Sequence, residues 1–248
     1  MSVCWSPPTI ALQQCSQLVQ KMARETVEGF RLSLGALNHY DGETAQKVRK
    51  IEGDIDHYED ILGTYLTKIA RAQISDDDSS EVSKLLKVIG DLERISDHSV
   101  NIVESAEELL EKKIELSEGA KQELCVMCDA LTEVLALTLD AYISNDSEKA
   151  LHVEPLEQVI DDLKSLLRDR HVVRLKDGDC TVEAGFIWSD LLTNLERTSD
   201  HCSNIALSII DANHHNMNAH EAHRQLKHNN PMFQGLYVSY SKKFTISR

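Results

Sequence analysis

The chain has 248 residues, of which 42% are hydrophobic, so it can bury a core in one large domain or in two small ones. Its formal net charge of −15 repels nucleic acid and anionic lipid and attracts cations, which argues against a DNA-binding protein. There are four prolines and none between Pro8 and Pro155, which permits long uninterrupted helices.

Nothing at the N-terminus predicts secretion, because MSVCWSPPTI has neither a basic segment nor a long apolar run. The expected location is therefore the cytoplasm, with reduced thiols at Cys4, Cys15, Cys125, Cys128, Cys180 and Cys202. No stretch approaches the roughly 18 apolar residues of a transmembrane helix, so no direct membrane insertion is expected.

Six long helical patterns follow one another at 9–38, 43–74, 80–113, 118–144, 148–176 and 182–212. The second is the clearest, since apolar residues from Val48 to Ile69 recur at alternating steps of three and four. The sixth repeats this stripe from Trp188 to Ile209. The remaining segment, 213–248, is rich in His and Asn, is interrupted by Pro231, and is predicted to be a C-terminal tail that docks loosely or stays mobile.

An internal repeat relates the two halves. LERISDHSVNI at 92–102 returns as LERTSDHCSNI at 195–205, with eight of eleven positions identical, and IEGDID at 51–56 matches LEQVID at 156–161 more weakly. Each half is therefore interpreted as a three-helix unit, over 9–113 and 118–212. The predicted fold class is all-α, with two tandem three-helix bundles and a short C-terminal extension.

Four Glu residues are each followed by Asp four positions later, where random placement of 21 Glu and 20 Asp would give roughly two such pairs or fewer. This spacing places both carboxylates on one helix face, beside the apolar stripe, so two neighbouring helices could gather four of them. Their repulsion, about 0.2–0.5 kcal/mol per pair, would be offset by iron, manganese, magnesium or calcium. The candidate metal ligands are Glu52, Asp56, Glu93, Asp97, Glu157, Asp161, Glu196 and Asp200.

Two other interpretations of these carboxylates stay open. They could be a solvated acidic face on a very acidic protein. They could also form the centre of a di-metal enzyme, although the Glu-x-x-His motif of helical di-iron centres is absent. No glycine-rich phosphate loop or nucleophile motif appears either, so the chain is not predicted to be an enzyme.

The fourfold Glu-x-x-x-Asp pattern and the two repeated motifs resemble the PhoU-domain family over about residues 10–212. The resemblance implies two three-helix bundles, each with a multinuclear cluster of iron or zinc. By position, one cluster would use the first four of the eight carboxylates and the other the last four. It further implies a regulatory role in phosphate uptake and signalling.

The two ends of the chain resemble one kind of PhoU-like protein in particular. PPTIALQQCSQLVQKMA at 7–23 and the terminal segment 218–248 are similar to the PhoU-like tail of sodium/phosphate cotransporters. This implies a cytosolic domain of such a transporter, or a partner that acts on one at the inner face of the membrane. The alternative is a free-standing regulator of a phosphate ABC importer and its sensor kinase. Beyond a membrane phosphate transporter, a second copy is a candidate partner and nucleic acid is not.

Lesser signals accompany the repeat. His98 and His201 are interpreted as structural partners of neighbouring carboxylates rather than as ligands. Asn101 and Asn204 lie four residues past the last Asp of their motifs, where they either donate hydrogen bonds to a cluster or are ordinary surface amides. The single Cys-x-x-Cys motif at 125–128 lies within a helix and is not predicted to be functional.

Overall fold

A computed structural model describes residues 8–213 and 231–246. Within these two ranges the regular structure is helical and no strand occurs, which confirms the all-α prediction. The helices are α1 (Pro8–Asn38), α2 (Gly42–Ala70), α3 (Asp76–Glu111), α4 (Glu118–Ser144), α5 (Ser147–Ala150), α6 (Val153–Asp177), α7 (Val182–Asn213) and α8 (Pro231–Lys243).

Two three-helix bundles form as predicted, one from α1, α2 and α3 and the other from α4, α6 and α7. They meet along α3 and α7, with α1 also contacting α4. The main hydrophobic core runs through both bundles, because Phe30, Ile95 and Trp188 belong to one buried cluster. Each side chain of this size contributes about 1.5–3 kcal/mol on burial, so the two bundles stabilise each other.

The periodic stripe of α2 is buried, with Ile55, Leu62 and Ile69 in this core and Val48 in a smaller separate cluster. Val48, Ile55, Leu62 and Ile69 are each at most 2% exposed. The helix begins where Asp41 accepts a hydrogen bond from the Thr44 amide at 2.8 Å, an N-cap that satisfies one of the unpaired donors of the first turn. The stripe fixes which face of α2 is left outside, and that face carries the candidate carboxylates.

The third helix starts earlier than predicted, at Asp76 instead of residue 80. Ser75 is its N-cap, and the Ser75 hydroxyl accepts a hydrogen bond from the Asp78 amide at 3.1 Å. Three Asp residues at 76–78 occupy the first turn, where their charges are favourable beside the positive end of the helix dipole. Residues 75–79, which lie between two of the predicted helices, therefore contain the start of a helix.

The fifth predicted helix, 148–176, is divided in the structure. The short α5 ends at Ala150, a turn follows at 151–152, and α6 begins at Val153. Pro155 accounts for the break, because it has no N–H to donate to the Leu151 carbonyl and its ring would clash there in a continuous helix. In the first turn of α6 the missing donor costs nothing, since those N–H groups have no partner within the helix.

The C-terminal segment is more ordered than predicted over 231–246. Pro231 is the first residue of α8, a position that suits its fixed φ angle. The helix packs along α6, with Phe233 and Phe244 buried, and the Tyr237 hydroxyl donates a hydrogen bond to Asp162 at 2.6 Å. The second bundle thus gains a fourth helix.

The His-rich stretch that was predicted to be a polar tail, 214–230, lies outside the described residues. Among the helices that are described, none combines the length and the apolar content needed to cross a bilayer.

Candidate functional site

The neighbouring helices α2 and α3 bring the first four predicted ligands to one surface. Glu52 and Asp56 lie on α2, beside the buried Ile55, while Glu93 and Asp97 lie on α3. Asp56 is exposed and the other three are partly buried. The structure therefore places these four carboxylates on two helices that pack against each other.

Their charges act on one another across the two helices. Burial raises the pKa of Glu52, and the nearby Asp97 and Asp56 carboxylates raise it further. Burial also raises the pKa of Glu93, with Asp97, Glu59 and Asp56 adding to the effect and Arg94 opposing it. Glu59, one helical turn beyond Asp56, is thus a fifth member. These five residues, Glu52, Asp56, Glu59, Glu93 and Asp97, are called the α2–α3 cluster below.

The donor chemistry of the α2–α3 cluster fits a hard cation, because all five side chains offer carboxylate oxygens. Among the described residues, its closest ion-pair partner is Arg94, which is 62% exposed and lies 3.5 Å from Glu93 and 3.7 Å from Asp97. A cavity of about 760 Å³ opens beside it, lined in part by Glu59 and Glu93. As the side chains stand, no three His, Cys, Asp or Glu residues within 8–213 and 231–246 converge on one ion position.

The last four predicted ligands meet on α6 and α7 and are called the α6–α7 cluster: Glu157, Asp161, Glu196 and Asp200. Burial raises the pKa of Asp200, and the Glu196 carboxylate adds to this rise. His201, Lys164 and a hydrogen bond with Glu157 oppose it. Asp161, one turn along α6 from Glu157, is partly buried on the same helix face.

The α6–α7 cluster contains a cation of its own. The Lys164 ammonium nitrogen lies 2.7 Å from Glu196 Oε2, and the two side chains are only 17% and 15% exposed. A lysine at this depth needs a carboxylate partner to offset the loss of hydration. Lys164 was not among the sequence candidates. The repeat alignment could have found it, because Lys164 falls where the first half has Glu59.

The repeated His residues lie at the junction of the two bundles. The rings of His98 and His201 stack with centroids 5.6 Å apart. His98 Nδ1 is 2.9 Å from Asn194 Oδ1, and His201 Nδ1 is 2.9 Å from Asp91 Oδ1. Burial is the main cause that lowers the pKa of His98. Both histidines therefore join α3 to α7, as a structural role requires. The partner of His201 is a carboxylate as predicted, whereas the partner of His98 is an amide.

The repeated Asn residues serve the same junction. Asn101 donates a hydrogen bond to Asn194 Oδ1 at 3.1 Å, and Asn204 donates one to Asp91 Oδ1 at 3.2 Å. Neither bond reaches a carboxylate of the two clusters. Asp91 and Asn194 are related by the repeat, so each half supplies one acceptor to the His and Asn of the other half.

The Cys-x-x-Cys motif at 125–128 has two unlike thiols. Cys125 is exposed, whereas burial raises the pKa of Cys128 to about 12. A metal ligand or redox nucleophile must be a thiolate, and Cys128 stays protonated at neutral pH. The geometry therefore favours no functional role for the motif.

Alkylation should separate these two cysteines. We expect iodoacetamide at pH 8 to label Cys125 in the folded protein and to leave Cys128 unmodified, because Cys128 is both partly buried and protonated. Peptide mass spectrometry would measure both positions in one sample, and urea-unfolded protein, with both sites labelled, is the control. Equal labelling of the two residues in the folded state would contradict the assignment.

The family model for the PhoU domain matches the chain twice, over residues 19–106 and 124–209. A phosphate-specific transport system accessory protein PhoU homolog from Zymomonas mobilis is 28% identical over 191 residues, covering 76% of this chain and 79% of that protein. PhoU homolog 1 from Thermotoga maritima, of the same description, is 30% identical over 126 residues. That alignment covers 51% of this chain and 53% of the relative, so the chain spans about half of that relative's length.

Two solved structures share the fold. The phosphate transport system regulatory protein PhoU from Streptococcus pneumoniae superposes with a TM-score of 0.72 at 20% identity, covering 85% of this chain and 98% of that one. PhoU from Pseudomonas aeruginosa gives a TM-score of 0.68 at 25% identity, covering 84% and 96%. The relatives from Zymomonas mobilis and Thermotoga maritima are named as accessory proteins, in agreement with the prediction that the chain is not an enzyme. With both repeats matched by the family model, the chain belongs to the PhoU domain family.

Proposed function

We propose that this protein is a non-catalytic regulator of phosphate uptake that acts as an accessory protein of a membrane phosphate transporter. The observation that carries the proposal is the double PhoU match, which falls on both three-helix bundles. Its relatives from Zymomonas mobilis and Thermotoga maritima are named as accessory proteins of phosphate-specific transport systems. A cytoplasmic location would place the protein on the side of the membrane where such a transporter can be contacted.

Of the two predicted forms, the accessory protein of a phosphate-specific importer has the better support. Each relative cited above is a PhoU protein and not a cotransporter. The cotransporter form rests on the resemblance of segments 7–23 and 218–248 alone, and about half of the second segment lies outside the described residues.

Metal binding at the α2–α3 cluster is part of the proposal. Five carboxylates would hold the ion or ions, with iron or zinc as the first candidates and manganese, magnesium or calcium as the others. A bound cation would supply the positive charge that these side chains lack. The protein itself contributes the pre-arranged α2 and α3 surfaces and the cavity that gives an ion access from solvent.

Deleting the gene from its host tests the regulatory role. In phosphate-replete medium we expect the deletion to raise the initial rate of radioactive phosphate uptake, because a restraint on the transporter has been removed. Re-expression of the wild-type chain should restore the lower rate, and an empty vector should not. Unchanged uptake in the deletion strain, with normal transporter abundance, would contradict the proposal.

A further inference from the structure

The two carboxylate clusters differ at one repeat-related position. The alignment that pairs Glu52 with Glu157 on α2 and α6 also pairs Glu59 with Lys164. Both lie one turn beyond the second carboxylate of their helix, at a distance of seven residues from the first. One helix therefore presents three carboxylates to its partner, and the other presents two carboxylates and an ammonium group.

Lys164 lies within the α6–α7 cluster rather than at its rim. Its Nζ atom is 2.7 Å from Glu196 Oε2, with both side chains largely buried. Two of the three other carboxyl groups, those of Glu157 and Asp200, lie close to each other. The Lys164 ammonium group thus neutralises part of the negative charge of the cluster and occupies one Glu196 oxygen.

Among the described residues, the α2–α3 cluster has no buried cation of this kind. The equivalent of Glu196 is Glu93, and the charged groups near it are Asp97, Glu59 and Asp56, together with the exposed Arg94. An exposed arginine neutralises a carboxylate weakly, since exposed ion pairs contribute about 0–1 kcal/mol. A cation from solution would supply the positive charge that this cluster lacks.

We infer that the two repeats are unequal, so that the Lys164 ammonium group takes the place of a metal ion in the α6–α7 cluster and metal binds to the α2–α3 cluster alone. The inference deepens the metal-binding part of the proposed function. What it adds is that Lys164 excludes metal from the α6–α7 cluster. This exclusion can hold even if the α2–α3 cluster binds no metal.

Equilibrium dialysis of the full chain with Mn²⁺, with the free ion quantified by electron paramagnetic resonance, tests the inference. Asp97→Asn should lose the high-affinity metal of the wild type, whereas Asp200→Asn should retain it. In the Asp97→Asn background, Lys164→Glu should create binding at the α6–α7 cluster, because it restores the carboxylate found at Glu59. We expect Kd for Mn²⁺ to fall by at least about tenfold, equivalent to about 1.4 kcal/mol.

Two further variants keep the result interpretable. Lys176→Glu changes the charge by the same amount on the exposed side of α6 and should leave Mn²⁺ binding unchanged, which excludes a general field effect. Lys164→Met removes the ammonium group without adding a negative charge, so it should fold and should also raise Mn²⁺ affinity, by less than Lys164→Glu. Circular dichroism would confirm that each variant is folded.

The outcomes distinguish this inference from the proposed metal binding at the α2–α3 cluster. If the wild type binds no Mn²⁺ but Lys164→Glu does, the α2–α3 proposal fails and the exclusion by Lys164 stands. If the wild type loses equal amounts of metal on Asp97→Asn and on Asp200→Asn, the two repeats are equivalent and the inference is overturned. It is also overturned if neither folded Lys164 variant gains Mn²⁺ affinity.

Discussion

Replacing Glu123 by Ala should lower the free energy of unfolding by about 3–5 kcal/mol, the range measured when one partner of a buried ion pair is removed. The Glu123 side chain on α4 is 5% exposed and accepts hydrogen bonds from two arginines of α6, Arg170 at 3.2 Å and Arg174 at 2.8 Å. Without the carboxylate, the largely buried guanidinium group of Arg174 would lose its ion-pair partner, and Arg170 would lose one of its interactions. Urea denaturation monitored by circular dichroism would measure the loss.

Glu28→Ala is the matched control for this prediction. Glu28 also accepts two hydrogen bonds from an arginine, Arg31, at 2.9 and 2.8 Å, and also lies within a helix, but its side chain is 50% exposed. Water replaces the lost interaction there, so we expect a change of about 0–1 kcal/mol. Equal losses for the two variants would show that burial does not set the strength of the Glu123 ion pairs.

Secondary structure and internal symmetry were predictable from the sequence because both follow from local patterns of residue types. The stripe from Val48 to Ile69 faces the core as its period requires, and the repeated motifs fall on α3 and α7. Helix boundaries were predicted wrongly where the apolar period and the residues that begin or interrupt a helix indicate different boundaries. Ser75 before three Asp residues is a helix start, and Pro155 ends the continuity of a helix that the apolar pattern alone would carry through.

Contacts between helices could not be predicted from the sequence. The repeat shows that His98 and His201 are equivalent, but not that α3 and α7 bring them into contact with each other. The Glu123 ion pairs join residues some fifty positions apart, and no local pattern pairs them. Lys164 is the intermediate case, since the alignment with Glu59 reveals the change of charge but only the packing of α6 on α7 shows where the charge lies.

Adding Mn²⁺ to the chelated protein should raise its melting temperature, and Asp97→Asn should abolish most of that rise. A ligand that binds only the folded state at a hundredfold excess over Kd stabilises it by about 2.7 kcal/mol. For a chain of this size, each kcal/mol corresponds to about 2–4 °C, so the expected rise is about 5–10 °C. Asp200→Asn should keep the rise, because Lys164 already neutralises the α6–α7 cluster.

The chelated Asp97→Asn variant should itself melt above chelated wild type. Asp97 adds to the repulsion that acts on Glu52 and on Glu93, and an amide removes that charge while preserving shape. Metal-loaded wild type should still be the most stable of the forms compared. Acidification should shrink the effect of Mn²⁺, since ligating carboxylates must be deprotonated.

Sodium chloride at matched ionic strength separates a metal site from a solvated acidic face. Screening by monovalent salt weakens the same repulsions without selecting an ion, and the Debye length falls to about 8 Å near 0.15 M. If the α2–α3 cluster is only an acidic surface, NaCl and MnCl₂ should give equal midpoints, and Asp97→Asn should respond to both salts alike. A rise with Mn²⁺ that exceeds the rise with NaCl and disappears in Asp97→Asn instead indicates an ion held by the carboxylates themselves.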